Sequence, residues 1–397
     1  MIKLAEATND KHDLDALSEW ISGYPRLTQG DLTKKYEAEW SDYLDIKNSI
    51  SVNSGSSANL LMLYSLIEAG DLEPGDSVIV PALSWSTDLA PIIQLGLLPI
   101  LCDCNMTDFS LDLDHLEKLL DEGAIFEEQE IRIRKRAKAV IIVPVLGFFP
   151  DMERVLSICN NHKVILLEDC CESLGSEFKG QKLGTFGVMS TFSTFFGHHI
   201  STIEGGFIST DDEELYELLV SLRSHGWGRD LKKETQIGLQ KEWNISEFDA
   251  MYTFYYPGYN LRSTDLNAFI GLGQIDKLDA WGKKRHMNFS IYQKLIKNDY
   301  WKVKPQPNSF VSNFAYPVIH PNRDEIVKEL QENGVEVRPM ICGSMGTQPF
   351  YVKEWGKKEL PNVTIVDLCG FYVPNNPSMT SEDITFVCDI INKEINK

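Results

Sequence analysis

Thr191-Phe-Ser-Thr-Phe-Phe-Gly-His-His-Ile-Ser-Thr-Ile-Glu-Gly-Gly206 is the stretch on which the reading of this chain turns. It begins as a β-rich run and then presents two adjacent histidines, His198 and His199. Imidazole sits near its unperturbed pKa at neutral pH, so it accepts and returns a proton without strong tuning. A lone histidine in such surroundings is more often a core residue than a functional one. Its frame sets His198 apart: Ser193 stands five residues before it and Glu204-Gly-Gly206 begins six residues after it.

Outward from this stretch, short apolar runs alternate with longer helical patterns. Ser77-Val-Ile-Val-Pro81, Leu98-Pro-Ile-Leu-Cys102, 138–144 and 164–168 are continuous rather than alternating, and Pro, Gly or Asp bounds them. Such runs predict a mostly parallel sheet covered on both faces. Beyond about residue 265 the pattern changes to a long helical stretch, a strand at 312–319, a charged helix at 324–333 and a terminal helix at 381–396. We therefore expect a large α/β part at 1–265 and a smaller C-terminal part at 266–397. No repeat or low-complexity linker separates them.

Several segments carry chemistry. Ser54-Gly-Ser-Ser-Ala-Asn59 follows a short β-like run and opens an apolar helix. Gly55, Ser56 and Ser57 can present backbone N–H groups and hydroxyls to an anion at that helix start, although a Ser/Gly turn that merely caps a helix is commoner. Trp85 lies just past a buried strand, where it can be plain core or a platform. Leu166-Leu-Glu-Asp-Cys-Cys-Glu-Ser173 ends another strand with three carboxylates, at the edge where parallel sheets bind ligands. His225, Trp227 and Arg229 form a polar, aromatic and basic cluster that an ordinary surface loop can also have. Arg338-Pro339 offers a guanidinium able to take a phosphate or a carboxylate.

These segments resemble the DegT/DnrJ/EryC1/StrS family of nucleotide-sugar aminotransferases. In that pattern a Ser precedes the cofactor lysine by five residues and Glu-Gly-Gly follows six residues after it; here His198 occupies the lysine position. The resemblance implies a fold-type I pyridoxal-phosphate fold, with an α/β sandwich as large domain and an α+β C-terminal domain. It implies a phosphate cradle at Gly55, Ser56, Ser57 and Ser193, Trp85 stacked on the cofactor ring, and Asp169 paired with the pyridine nitrogen. Glu172 stands where family aminotransferases usually carry Gln. Asn260, in Pro257-Gly-Tyr-Asn-Leu-Arg262, matches an asparagine that reaches the cofactor phosphate of a neighbouring subunit, which implies a homodimer. His225, Arg229 and Arg338 fall on the expected substrate side.

A lysine holds this cofactor as a Schiff base and also shuttles protons. Imidazole does only the second. The resemblance therefore implies non-covalent pyridoxal phosphate or pyridoxamine phosphate and points to the lysine-less branch, the sugar 3-dehydratases of 3,6-dideoxyhexose synthesis. The expected reaction removes the C3 hydroxyl of a nucleotide-linked 4-keto-6-deoxyhexose, with L-glutamate re-aminating the cofactor. A GDP-linked mannose derivative is the first expectation, though the residues do not fix nucleotide or sugar. An aminotransferase using another lysine and a non-catalytic sugar-binding relative are the alternatives.

A formal charge of −20 argues against nucleic acid and anionic membranes as partners, so an anionic substrate needs a local basic patch. No basic-then-apolar leader and no run of about 20 apolar residues is present, which with eight cysteines predicts a cytoplasmic protein with reduced thiols. No Cys-x-x-Cys occurs and no cysteine lies between Cys171 and Cys342. Related dehydratases with a two-iron two-sulfur cluster carry clustered cysteines there, so neither an iron-sulfur cluster nor another metal is expected.

Overall fold

The computed structural model describes residues 1–6, 8–128 and 131–397. Its centre is a seven-stranded sheet in the spatial order Asn48–Val52, Gly206–Thr210, Met189–Ser193, Ile165–Asp169, Ala137–Ile142, Ser77–Pro81, Leu98–Cys102. From Met189–Ser193 to Leu98–Cys102 all neighbours are parallel, whereas Gly206–Thr210 runs antiparallel to both of its neighbours. Ser77–Pro81 and Met189–Ser193 are buried throughout, as expected of strands with helices on both faces.

Three chain segments converge at one end of this sheet. Thr191 pairs with Asp169, Ser193 with Gly206, and Gly206 also with Val52. The turn Ser54-Gly55 and the loop 194–205 therefore rise from the edge that carries Asp169. The approach is close: a Cβ on Gly206 would fall 2.6 Å from Phe192 O and 2.7 Å from the Ser54 carbonyl carbon, so no side chain fits there. Trp40 fastens the two strands from below, stacked 4.6 Å from Phe207 and edge-on 5.0 Å from Phe192. Truncating such a buried ring to Ala typically costs about 3–5 kcal/mol.

The later part is built on a three-stranded antiparallel sheet, Ala315–Ile319, Gly370–Pro374 and Arg338–Pro339, with Arg338 opposite Tyr372. Helices Leu278–Leu295 and Arg323–Glu332 pack against Ser381–Ile395. The helix Asp265–Ile275, which follows the expected boundary, packs against Asp31–Leu44. Asp265 Oδ1 accepts there from Gly30 N (2.8 Å), Thr33 N (2.9 Å) and Thr33 Oγ1 (2.6 Å). The chain start joins the later part: Ile2 N donates to Gly334 O and Glu336 N to Ile2 O, both at 2.9 Å. Among the described residues no helix is long and apolar enough to cross a membrane.

Candidate active site

A cavity of about 730 Å³ opens at the carboxyl edge of the seven-stranded sheet, facing Arg338 and Tyr372 of the three-stranded sheet. Gly55, Ser56, Trp85, Asp169, Glu172 and Ser193 line it, together with His198 and Arg338.

Asp169 ends a buried strand and is 5% exposed. Its Oδ1 accepts from Cys171 N at 2.8 Å and its Oδ2 from Asn59 Nδ2 at 2.5 Å. Asn59 is itself oriented by Thr191 Oγ1, which donates to its Oδ1 at 2.6 Å. The carboxylate is thus aimed by side chains on two other elements. Asn59 and Asp88 were both missed by the sequence reading. Asn59 closes the very segment that was read as an anion cradle, and Asp88 is an acidic residue in the first turn of helix Ser86–Gln94.

Glu172 Oε2 accepts from Leu146 N at 2.7 Å, a contact made possible by the left-handed backbone of Leu146 (φ 52). Burial pushes the Glu172 carboxyl up to about 8, with the negative charge of Asp169 adding to the effect. At neutral pH it is mainly a neutral acid with a proton to donate, rather than a solvated helix cap.

The two histidines separate clearly. His198 lines the cavity, and its Nδ1 lies 2.5 Å from Cys171 O. A carbonyl only accepts, so Nδ1 carries the hydrogen and Nε2 keeps a lone pair. Burial lowers the pKa of His198, against the opposing influence of the Cys171 carbonyl and Asp169. His199 is fully buried, its Nε2 held by Ser312 O at 2.6 Å, and burial together with the nearby Arg285 cation holds its pKa well below the usual range. Among the described residues lining the cavity Lys3 is the one lysine; its side chain is 52% exposed and lies 3.9 Å from Glu6.

The fit to a phosphate-bearing aromatic cofactor can be tested on the glycine. A Cβ on Gly55 would sit 2.8 Å from Ser193 Cβ and 2.9 Å from Cys171 Sγ, so the start of helix Gly55–Ala69 stays bare. Free N–H groups and the helix dipole remain there for an anion. Trp85 is 53% exposed beside it, an uncovered aromatic face on the cavity wall. Phosphate cradle, aromatic face and buried carboxylate suit the group that the sequence implied.

Arg338 donates Nη1 to Val337 O at 3.0 Å and is ion-paired with Glu336. The other carboxylate oxygen of Glu336 accepts from Leu4 N at 3.0 Å. Residues 3–6 line the cavity as well.

Four expected residues do not line it. Ser57 turns to Ser54, whose Oγ donates to Ser57 Oγ at 3.0 Å. His225 has a left-handed backbone (φ 67), is exposed, and donates its N–H to Tyr259 O at 2.6 Å. Arg229 stacks 4.0 Å over the Trp227 ring. Asn260 Oδ1 accepts from Arg262 Nε at 3.1 Å, and its backbone bridges to Ser224. These last three share one surface region. Among the described residues only Asp10, His12 and Asp13 gather three metal-ligating side chains, and Lys277 Nζ already sits 3.2 Å from Asp10 and 2.6 Å from Asp13.

The DegT/DnrJ/EryC1/StrS aminotransferase family model matches residues 8–392. The chain belongs to this family. Within the DegT/DnrJ/EryC1/StrS family it is 34% identical to GDP-4-keto-6-deoxy-D-mannose 3-dehydratase of Yersinia pseudotuberculosis, over 98% of each chain. The E. coli GDP-4-keto-6-deoxy-D-mannose-3-dehydratase structure with bound hydrated pyridoxal phosphate superimposes with a TM-score of 0.85 at 29% identity, covering 98% of this chain and 99% of that one. A GDP-4-keto-6-deoxymannose-3-dehydratase structure with a trapped pyridoxal-phosphate–glutamate geminal diamine gives the same TM-score, 0.85, at 29% identity, covering 98% and 100%.

Proposed function

We infer that the chain is a pyridoxal-phosphate/pyridoxamine-phosphate-dependent 3-dehydratase of a nucleotide-linked 4-keto-6-deoxyhexose, with GDP-4-keto-6-deoxy-D-mannose as its substrate. The observation that carries this reading is the locked imidazole of His198 on the cavity wall, at the position where the family places its lysine. When bound, pyridoxamine phosphate supplies the amine that meets the sugar's C4 ketone and a ring able to take up and return an electron pair. Gly55, Ser56 and Ser193 would hold its phosphate, Trp85 would cover the ring, and Asp169 would pair with the ring nitrogen. His198 Nε2 takes a proton from the C4′ carbon. The resulting imidazolium then protonates the departing C3 hydroxyl, which leaves as water. Glu172, whose pKa burial raises to about 8, would offer a proton donor on the cavity wall. The nitrogen would leave as ammonia, and L-glutamate would supply its replacement. No external reductant enters, so no iron-sulfur cluster is required.

Without lysine chemistry the cofactor is held non-covalently. The working assembly is a homodimer, in which Asn260, His225 and Arg229 complete the partner's cavity. Two observations favour it: these residues lie outside their own cavity, and the adjoining surface exposes Phe248 and Tyr252 (both 76%) and Phe254 (53%). The compartment is the cytoplasm, where nucleotide-sugars are made.

The test is product mass spectrometry after incubation with pyridoxal phosphate, L-glutamate and GDP-4-keto-6-deoxy-D-mannose, alongside the CDP, dTDP and UDP 4-keto-6-deoxy sugars. A product lighter than the substrate by one oxygen, with no nitrogen retained, supports the reading. A stable amino sugar overturns it.

A further inference from the structure

Asp88 is a carboxyl group that the reaction above does not use. It nevertheless lines the cavity and is 2% exposed. In the first turn of helix Ser86–Gln94, its Oδ2 accepts from Trp85 N at 3.0 Å. Its Oδ1 accepts from Asn59 Nδ2 at 3.2 Å, the same amide that reaches Asp169 Oδ2 at 2.5 Å. One amide nitrogen thus meets an oxygen of each buried carboxyl group, so the two acidic side chains face each other across Asn59. Two carboxylates held this way, out of water, repel, and holding one of them as a neutral acid removes that cost.

We propose that Asp88 is a positioning residue for the cofactor ring: as a neutral acid bridged to Asp169 by the Asn59 amide, it leaves the pair with a single negative charge for the ring nitrogen, and its bond to Trp85 fixes that charge relative to the ring-covering face. This rests on the reading of Asp169 and Trp85 as cofactor residues. Burial, then the charge of Asp169, raises the Asp88 pKa well above the usual carboxylate range. The groups facing the pair are the Glu172 carboxyl and the Cys171 thiol, with His198 beside Asp169. Two carboxyl groups that share one amide donor, out of water, do not both ionise readily. Asp88 also keeps the Asn59 amide turned toward the Asp169 carboxylate.

The experiment compares the full-length chain with Asp88→Asn, Asp88→Ala, Asp169→Asn and Glu172→Gln, using pyridoxal phosphate as the probe. Asparagine keeps a donor and an acceptor, so Asp88→Asn is expected to bind the cofactor within about twofold of the parent. Asp88→Ala is expected to weaken it tenfold or more, because it leaves the buried Asn59 amide and Trp85 N–H without their acceptor. Before cofactor is added, the infrared band of protonated carboxyl groups at neutral pH shrinks in Asp88→Asn by an amount additional to that lost in Glu172→Gln. The folded-state pKa of Asp88 is raised, so its stabilising share is complete at low pH and is lost as pH rises; Asp88→Asn gains thermal stability over the parent as pH climbs. If Asp88→Ala matches the parent in affinity and in the pH dependence of the bound-cofactor spectrum, Asp88 is only a helix cap and the proposal falls. If Asp169→Asn leaves that spectrum unchanged, the ring-nitrogen reading itself is overturned, and the proposal with it.

Discussion

The main-chain oxygen of Cys171 holds Nδ1 of His198 at 2.5 Å, and Cys171 N donates to Asp169 Oδ1 at 2.8 Å. One residue therefore fixes both the tautomer of the proposed base and the orientation of the proposed ring-nitrogen partner. Backbone atoms do this, so the side chain at 171 is not what matters for the tautomer.

His198→Asn is expected to leave fold and cofactor binding intact and to lower turnover by roughly 10²- to 10⁴-fold, the range for a lost acid/base group. His199→Asn is the control. It disturbs a buried contact to Ser312 and should lower the melting temperature far more than kcat. Steady-state kinetics beside thermal melts separate the two, and the opposite pattern would place the base at His199.

Borohydride reduction of the enzyme loaded with pyridoxal phosphate is expected to leave no lysine labelled. Lys3, the lysine on the cavity wall, is the residue to inspect in the peptide map. Reduced cofactor on Lys3, or on any lysine of the native protein, contradicts non-covalent binding.

Glu172→Gln tests the raised pKa of this carboxyl. The folded carboxyl titrates at about 8 against an ordinary value of 4.5. Its contribution to stability is therefore complete below about pH 4.5 and is lost as pH rises through about 8. The variant should melt close to the parent near pH 5 and several degrees higher at pH 9. Melts at the two pH values decide it; equal differences at both would mean that Glu172 is ionised in the folded state.

Gly197→Asn combined with His198→Lys restores an amine in the frame set by Ser193 and Glu204. The double variant should form a borohydride-trappable link to the cofactor and, given nitrogen-labelled glutamate, release some labelled amino sugar. Unchanged dehydration by a lysine-linked enzyme would show that residue 198 does not determine the outcome. Glu172 limits the conversion, because it stays a proton donor where family aminotransferases have Gln.

Strand positions were legible because buried parallel strands are continuous apolar runs: Ser77–Pro81 and Leu98–Cys102 have the bounds that the sequence suggested, and the other two lie within two residues of theirs. The motif residues were legible through their spacing to His198 and through family likeness. The supports of Asp169 were not, since Asn59 lies 110 residues away from it and only the folded sheet brings them together. The bond from Leu4 N to Glu336, the ion-pair partner of Arg338, was hidden for the same reason. The placement of His225, Arg229 and Asn260 on one outer surface also needed three-dimensional structure, because their motif segments are separated in sequence.

The bond from Leu4 N to Glu336 spans 332 positions and closes one wall of the cavity. A ribosome releases the first partner long before it makes the second. The central sheet can form while the chain is still being synthesised, but the pocket acquires this wall only after residue 336 has emerged. Such long-range closures are slow steps in folding. Ligand competence is therefore expected to lag behind secondary structure during refolding, with cofactor affinity gained last, when the segment around Leu4 meets Glu336.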